Sequence, residues 1–244
     1  MRVVAVQLKG DRADVAAVRQ RSVQLALEAA IGGADLIVLP EMACTGYMFE
    51  SADEVRTVAE PAKGPTFEAW RQVAIDRESW VVGGFPEDAG KRLFNSALVI
   101  NPAGDLAFTY RKTMLYDADR TWAWPGDSGY RRFQTPFGAF GVGICMDLND
   151  PRFLLWCWRN RLDAVAFPTN WVEEGIEVWP YWRERMGGSG AALVAANTWG
   201  DEAGTSFTGC SAVLYGDDVL VSAPKTGDGF IRAELSLPAA VAAR

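Results

Sequence analysis

Histidine is absent from the 244-residue sequence. No Ser-His-Asp or Cys-His pair and no imidazole-based metal site is therefore available, and proton transfer has to run on carboxylate, lysine, cysteine or tyrosine side chains. Cysteine is scarce too. Cys44, Cys145, Cys157 and Cys210 lie far apart without a C-x-x-C pair, which gives no disulfide frame or zinc ribbon and predicts reduced thiols. Basic residues are outnumbered, 24 Lys plus Arg against 31 Asp plus Glu for a net charge of -7, a balance that repels phosphate backbones and disfavours nucleic acid as a partner. No window reaches the roughly 18 apolar residues of a membrane span. The opening MRVVAVQL lacks the basic and apolar regions of a signal peptide, so the expectation is a cytoplasmic protein with no membrane partner.

What is present is an ordinary globular composition, 49% hydrophobic and 23% charged, with no linker-like stretch and no internal repeat of fixed period. A single domain over 1–244 is expected, since one core serves chains up to roughly 250 residues. The terminal PAAVAAR is low in complexity. Apolar spacing predicts a strand at Val3 to Leu8, a helix from Asp14 to Ala30 halted by Gly32 and Gly33, and a short buried strand in ADLIVLPE. Next come a helix around Thr66 to Glu78, a strand in WVVGGFPE, and a hairpin whose arms LFNSALVI and DLAFTYRK flank Asn-Pro-Ala-Gly. Then follow the strand FGAFGVGICMD ending at Cys145, a helix from Pro151 to Arg161, the strand DAVAFPTN, a helix near Val178 to Met186, the strand ALVAANTWG, and a last hairpin in CSAVLYGDDVLVSAP. Strand-helix alternation mixed with hairpins predicts a layered α/β domain with a mixed sheet.

Three polar residues stand at the ends of apolar strands: Glu41 after LIVLP, Lys112 after FTYR and Cys145 after GVGI. In α/β folds ligands bind at that edge. Each also has an ordinary role, as a solvated carboxylate, a snorkelling surface lysine or a small buried hydrophobe. Around Cys145, however, GVGI runs into MDLNDPRF, which predicts a tight turn with the Met146 N–H directed into a site and a helix starting at Asp150 or Pro151, capped by Asp147 or Asp150. A cysteine so placed near a lysine is expected to reach the thiolate at neutral pH. Cys44, Cys157 and Cys210 sit in contexts that read as packing. Together, Glu41, Lys112 and Cys145 supply acyl transfer without histidine: a carboxylate to take the thiol proton, a sulfur nucleophile, and an ammonium with a backbone N–H for the oxyanion.

The segments LPEMACTGY, YRKTMLYDADR and GVGICMDLND resemble, in order, the Glu, Lys and Cys motifs of the nitrilase superfamily of carbon-nitrogen hydrolases. NSALVINPAG, WPGD, FPTNW, VAANTWG and FTGCSAV extend the likeness over nearly the whole chain. The resemblance implies a four-layer α-β-β-α sandwich, a homodimer or larger homo-oligomer, no cofactor and no metal. It also implies an amidase acting through a thioester on a small-molecule amide. Many members carry a second glutamate six residues before the proline of the PG element that follows the lysine motif; with that element at Pro125, the matching position here is Asp119. Where the family often reads Arg-Ala-x-Glu-Asn, Arg185 is followed by Met-Gly-Gly-Ser. CMDLN and RKTMLY-x-x-D-x-x-W are closer to protein N-terminal Asn/Gln amidases than to the C-W-E of nitrilases proper.

Ten tryptophans are present. Trp122 and Trp171, with Tyr47 and Asn170, are candidates for lining the substrate pocket, and Asp147 or Glu173 for pairing with a substrate amine; layer packing is the ordinary use of such aromatics. Substrates left open are a free carboxamide, an N-carbamoyl compound, a nitrile or a peptide N-terminus. The rivals are a serine amidase built on Ser189 in MGGSGAA, a glycosidase pairing Glu41 with Asp147, which would leave Lys112 and Cys145 idle, and a scaffold that has kept the fold without activity.

Overall fold

The computed structural model describes residues 1–237; the PAAVAAR segment lies outside them. Two six-stranded mixed sheets face each other. The first is built from β1 (Arg2–Gln7), β2 (Leu36–Val38), β3 (Trp80–Asp88), β4 (Leu93–Ile100), β5 (Leu106–Arg111) and, late in the chain, β14 (Gly229–Glu234), in the order β14-β1-β2-β3-β4-β5. The second holds β6 (Arg132–Thr135), β7 (Gly138–Val142), β8 (Ala164–Thr169), β9 (Ala192–Asn197), β12 (Ala212–Tyr215) and β13 (Asp218–Ser222), in the order β13-β12-β9-β8-β7-β6. A separate hairpin pairs β10 (Trp199–Glu202) with β11 (Thr205–Thr208).

The sheets share one plan, with parallel strands in the middle and antiparallel pairs outside: β1-β2-β3 and β7-β8-β9 run parallel, and each set is flanked by antiparallel strands. The halves thus repeat in topology although no repeat is visible in sequence. The crossovers follow from parallel pairing, which needs a helix to carry the chain back: α1 (Val15–Ala29) and α3 (Pro65–Arg77) cover the first sheet, α4 (Pro151–Arg159) and α5 (Val178–Gly187) the second. A short α2 (Ala52–Arg56) follows the Glu41 loop.

Side-chain alternation assigns the layers. Val3, Ala5, Leu36 and Val38 point toward Ala164, Ala166, Ala192 and Val194 of the other sheet, while Val4, Val6, Ile37 and Leu39 pack under α1 and α3 with Leu25 and Trp70. On the far side Val165, Phe167 and Leu193 meet Phe153 of α4 and Trp182 of α5. Strands buried on both faces give the continuous apolar runs seen in sequence. The expected α-β-β-α sandwich is the observed fold.

Several expectations are adjusted. Asp14 is the N-cap of α1, accepting from Ala17 N–H, rather than its first residue. The strand leading to the nucleophile stops at Val142, and Cys145 opens a 3-10 helix, Cys145–Asn149. ALVAANTWG divides into β9 and β10, and β14 follows the hairpin that was expected to complete the chain. Among the described residues no helix is long and apolar enough to cross a membrane.

Candidate active site

Glu41 enters from the loop after β2, and its backbone is fixed from the neighbouring strand. Gly84 of β3 donates to Pro40 O and accepts from Ala43 N–H. A Cβ at Gly84 would collide with the Glu41 Cα and the Met42 amide, so glycine is what allows this approach. Lys112 directly follows β5, and its carbonyl accepts from Gly126 N–H at 2.8 Å. A side chain at Gly126 would run into the Arg111 carbonyl, which gives the glycine of the WPGD segment its physical reason.

Cys145 has φ 44°, a conformation that costs a non-glycine residue of order 1 kcal/mol or more. The turn is held from several sides. Asp147 accepts from Ile144 N–H, Asp150 caps α4 by accepting from Arg152 N–H, and Arg185 of α5 donates to the Leu148 and Asn149 carbonyls. Arg185 thus braces the turn that carries Cys145.

These elements bring Glu41, Lys112 and Cys145 together in the interior. Lys112 and Glu41 are fully buried and Cys145 is 6% exposed. The Lys112 ammonium donates to Glu41 Oε1 at 2.7 Å, to Asp119 Oδ2 at 2.6 Å and, loosely, to the Tyr47 hydroxyl at 3.4 Å. Glu41 Oε1 also accepts from Asn95 Nδ2 at 2.7 Å, and Oε2 accepts from Asn170 N–H at 2.8 Å. The thiol faces the Asn170 carbonyl oxygen at 4.0 Å, so the backbone of Asn170 bridges the carboxylate and the sulfur.

Burial pushes Glu41 above the usual carboxylate range against the pull of Lys112. For Lys112, burial acts to strip the charge, but Asp119 and Glu41 outweigh it and hold the pKa above the ordinary lysine value. The Cys145 thiol is pushed up to about 12, by burial first and then by Glu41, with Lys112 pulling the other way. This corrects the expectation of a thiolate accessible at neutral pH: desolvation outweighs the neighbouring cation.

Asp119 comes in on a single 3-10 turn, Asp119–Thr121, and is fully buried. Besides Lys112 it accepts from Asn95 Nδ2 at 2.9 Å and Tyr116 N–H at 2.9 Å. Asn95, which joins both carboxylates from the middle of β4, was not singled out from sequence; its segment NSALVINPAG was noted only as part of the likeness.

The other candidates divide. Tyr47 and Trp122 lie in one apolar cluster with Met42, Phe49 and Phe207 beside the triad; the Trp122 indole N–H and Asn170 Oδ1 are buried without a protein partner. Trp171 packs against Phe167, Tyr181 and Trp182 on the helix side of the second sheet and also borders the inter-sheet core that contains Cys145. Two carboxylates expected to meet a substrate amine are committed elsewhere. Asp147 is fully buried and accepts from Tyr110, Thr113, Met114 and Ile144, and Glu173 accepts from Gly175 N–H and pairs with Lys225 at 3.4 Å near the surface. Ser189 accepts from Ala191 N–H and donates to the Met186 carbonyl, closing the turn after α5. Among the described residues no cluster of His, Cys, Asp and Glu is placed to hold a metal ion.

A carbon-nitrogen hydrolase family model matches residues 2–244. A nitrilase from Pyrococcus abyssi is 34% identical over 220 residues, covering 88% of this chain and 81% of that protein. A protein N-terminal amidase from Saccharomyces cerevisiae is 30% identical over 167 residues, covering 57% of this chain but only 36% of the yeast protein's length. Among solved structures, an N-terminal amidase with an Asn-Glu-Ala peptide superposes with a TM-score of 0.85 at 19% identity, over 96% of this chain and 97% of that one. An amidase from Nesterenkonia sp. gives 0.83 at 22% identity, over 96% and 90%. With the family match spanning the chain and the fold shared, the protein belongs to the carbon-nitrogen hydrolase family, alongside nitrilases and amidases, and is a hydrolase of carbon-nitrogen bonds.

Proposed function

We propose that the protein is a thiol amidohydrolase that cleaves the C–N bond of a small carboxamide, forming a thioester on Cys145 and releasing ammonia. The observation that carries this is the buried Glu41–Lys112–Cys145 group in a chain without histidine. Glu41 Oε2, with one donor on it, has a lone pair left for the thiol proton. Sulfur attacks the amide carbon as that proton moves to Glu41. The developing oxyanion takes the third Lys112 N–H, now held only by the long contact to Tyr47, together with the Met146 backbone N–H.

As the C–N bond breaks, Glu41 returns the proton to nitrogen and ammonia leaves. Water then gives a proton to Glu41, its oxygen attacks the thioester, and the carboxylic acid departs as sulfur regains its proton. Asp119 has a part throughout. While Glu41 is neutral, Asp119 still balances Lys112, so the ammonium keeps its charge when the oxyanion needs it. Tyr47, Trp122 and Asn170 are the side chains proposed to contact the substrate.

A second reading is a protein N-terminal amidase, favoured by the relative and the peptide-bound structure of that description. It ranks second because Asp147 and Glu173, the carboxylates expected to hold the terminal amine, are engaged by other groups. The same family reading expects a homo-oligomer, and Leu155 and Trp158 leave an apolar face exposed on α4. Ammonia release from a panel of primary amides, with the Asn-Glu-Ala peptide run alongside, tests the activity. Release from free amides that is lost in Cys145→Ala supports the proposal; release confined to the peptide supports the second reading, and full turnover by Cys145→Ala overturns both.

A further inference from the structure

Asp147 follows the nucleophile by two residues, yet half of its hydrogen bonds reach back to the lysine loop. Its Oδ1 accepts from Thr113 N–H at 3.1 Å and Met114 N–H at 2.8 Å, the two amides directly after Lys112. Its Oδ2 accepts from Ile144 N–H at 2.9 Å, the amide directly before Cys145, and from the Tyr110 hydroxyl at 2.7 Å, at the end of β5. Lys112 comes from the first sheet and Cys145 from the second. One carboxylate, fully buried, thus ties together the chain on both sides of Lys112 and the turn that carries the sulfur.

Resting on the amidohydrolase proposal, we infer that Asp147 is a positioning residue that fixes the distance between Lys112 and Cys145 by clamping the two sheets at the reaction centre. The chemistry of the side chain sets the requirement. All of its partners are donors, and only a carboxylate accepts at both oxygens. A carboxamide in the same volume presents one acceptor and one NH2 group. Whichever way it turns, the NH2 meets backbone N–H groups, either those of Thr113 and Met114 or that of Ile144, donor against donor. Such a mismatch in the interior is costly, and it opens the joint on one side. The lysine acts on charge that exists only in the transition state, and a displacement near 1 Å there costs about a hundredfold in rate. Tyr110 is the lesser member: its hydroxyl can be removed while its ring stays packed between the sheets.

The test uses Asp147→Asn and Tyr110→Phe in the intact protein, each checked for folding by circular dichroism and thermal melting. Hydrogen-deuterium exchange followed peptide by peptide reads the clamp without substrate, and steady-state kinetics on the best primary amide reads its consequence. The expected result is faster exchange in both the 112–116 and the 143–147 peptides of Asp147→Asn, with kcat down about a hundredfold and KM nearly unchanged. Tyr110→Phe shows the same pattern at about three- to tenfold, since it loses the bond to Asp147 and the one to Thr113 Oγ1 but leaves the three backbone donors on Asp147 in place. Exchange confined to the 143–147 peptide, or wild-type kcat in a folded Asp147→Asn, overturns the clamp. Should Asp147→Asn not fold, unchanged exchange in the 112–116 peptide together with unchanged kcat in Tyr110→Phe overturns it. If no amide is turned over by the wild type, the amidohydrolase proposal fails, while the exchange pattern still decides whether Asp147 joins the two loops.

Discussion

Asp119 holds the Lys112 ammonium at 2.6 Å, as closely as Glu41 does at 2.7 Å. Asp119 opens the Asp119–Thr121 turn and is fully buried. With all of these groups out of water, the cation depends on both neighbours. Removing one partner of a buried ion pair leaves charge uncompensated and costs about 3–5 kcal/mol. Asp119→Ala is therefore expected to lower the denaturant-unfolding free energy by about that amount; a loss below about 1 kcal/mol, the scale of a surface pair, contradicts the assignment.

Glu41→Gln keeps the shape but removes the proton acceptor, and kcat is expected to fall about 10²–10⁴-fold. The wild-type pH profile carries the same information. Burial raises the Glu41 pKa above its ordinary 4.5, and the base works only when ionised. Activity therefore falls as pH drops through a value above the usual carboxylate range. A profile flat to pH 4 contradicts Glu41 as the base.

The thiol makes a separate prediction. With Cys145 pushed up to about 12, the proposed mechanism starts from a protonated thiol whose proton passes to Glu41 as the sulfur attacks. The ultraviolet thiolate absorbance of wild type minus Cys145→Ser is expected to show no step below about pH 9. A step between pH 6 and 8 means a preformed thiolate and a different division of labour.

Gly84→Ala tests whether the close backbone approach places the base. The added methyl meets the Glu41 Cα and the Met42 amide, neither of which has a flexible end to swing away. The expected result is a folded protein with kcat reduced about a hundredfold, the effect of a shift near 1 Å. Wild-type activity shows that the loop can move without consequence.

Glu41, Lys112 and Cys145 stand out in sequence because each follows an apolar run, and strand ends are where an α/β fold places ligands; the structure brings the three together. The layers were legible for the same reason: runs such as LIVLP and AVAFPT are buried on both faces. β14, reading Gly-Phe-Ile-Arg-Ala-Glu, is not legible in sequence because an edge strand with polar residues lacks that signature. A carboxylate beside a cysteine, as Asp147 is, reads in sequence equally as cap or substrate partner, and the amides that engage it, Thr113 and Met114, lie more than thirty positions away. Asn95 carries no pattern at all; its carboxamide matters only because β4 places it between Glu41 and Asp119. The thiol expectation weighed a helix terminus and a lysine, but burial, which sequence spacing does not measure, decided the direction.

The central claim is a covalent acyl group on Cys145, and mass spectrometry of enzyme quenched during turnover tests it most directly. The adduct is sought in wild type, because Glu41→Gln loses the proton acceptor for thioester formation as well as for the water step. The account predicts a mass increase equal to the amide less ammonia, confined to the peptide containing Cys145 and absent in Cys145→Ala. Sustained amide hydrolysis with no adduct, undiminished in Cys145→Ala, would contradict it.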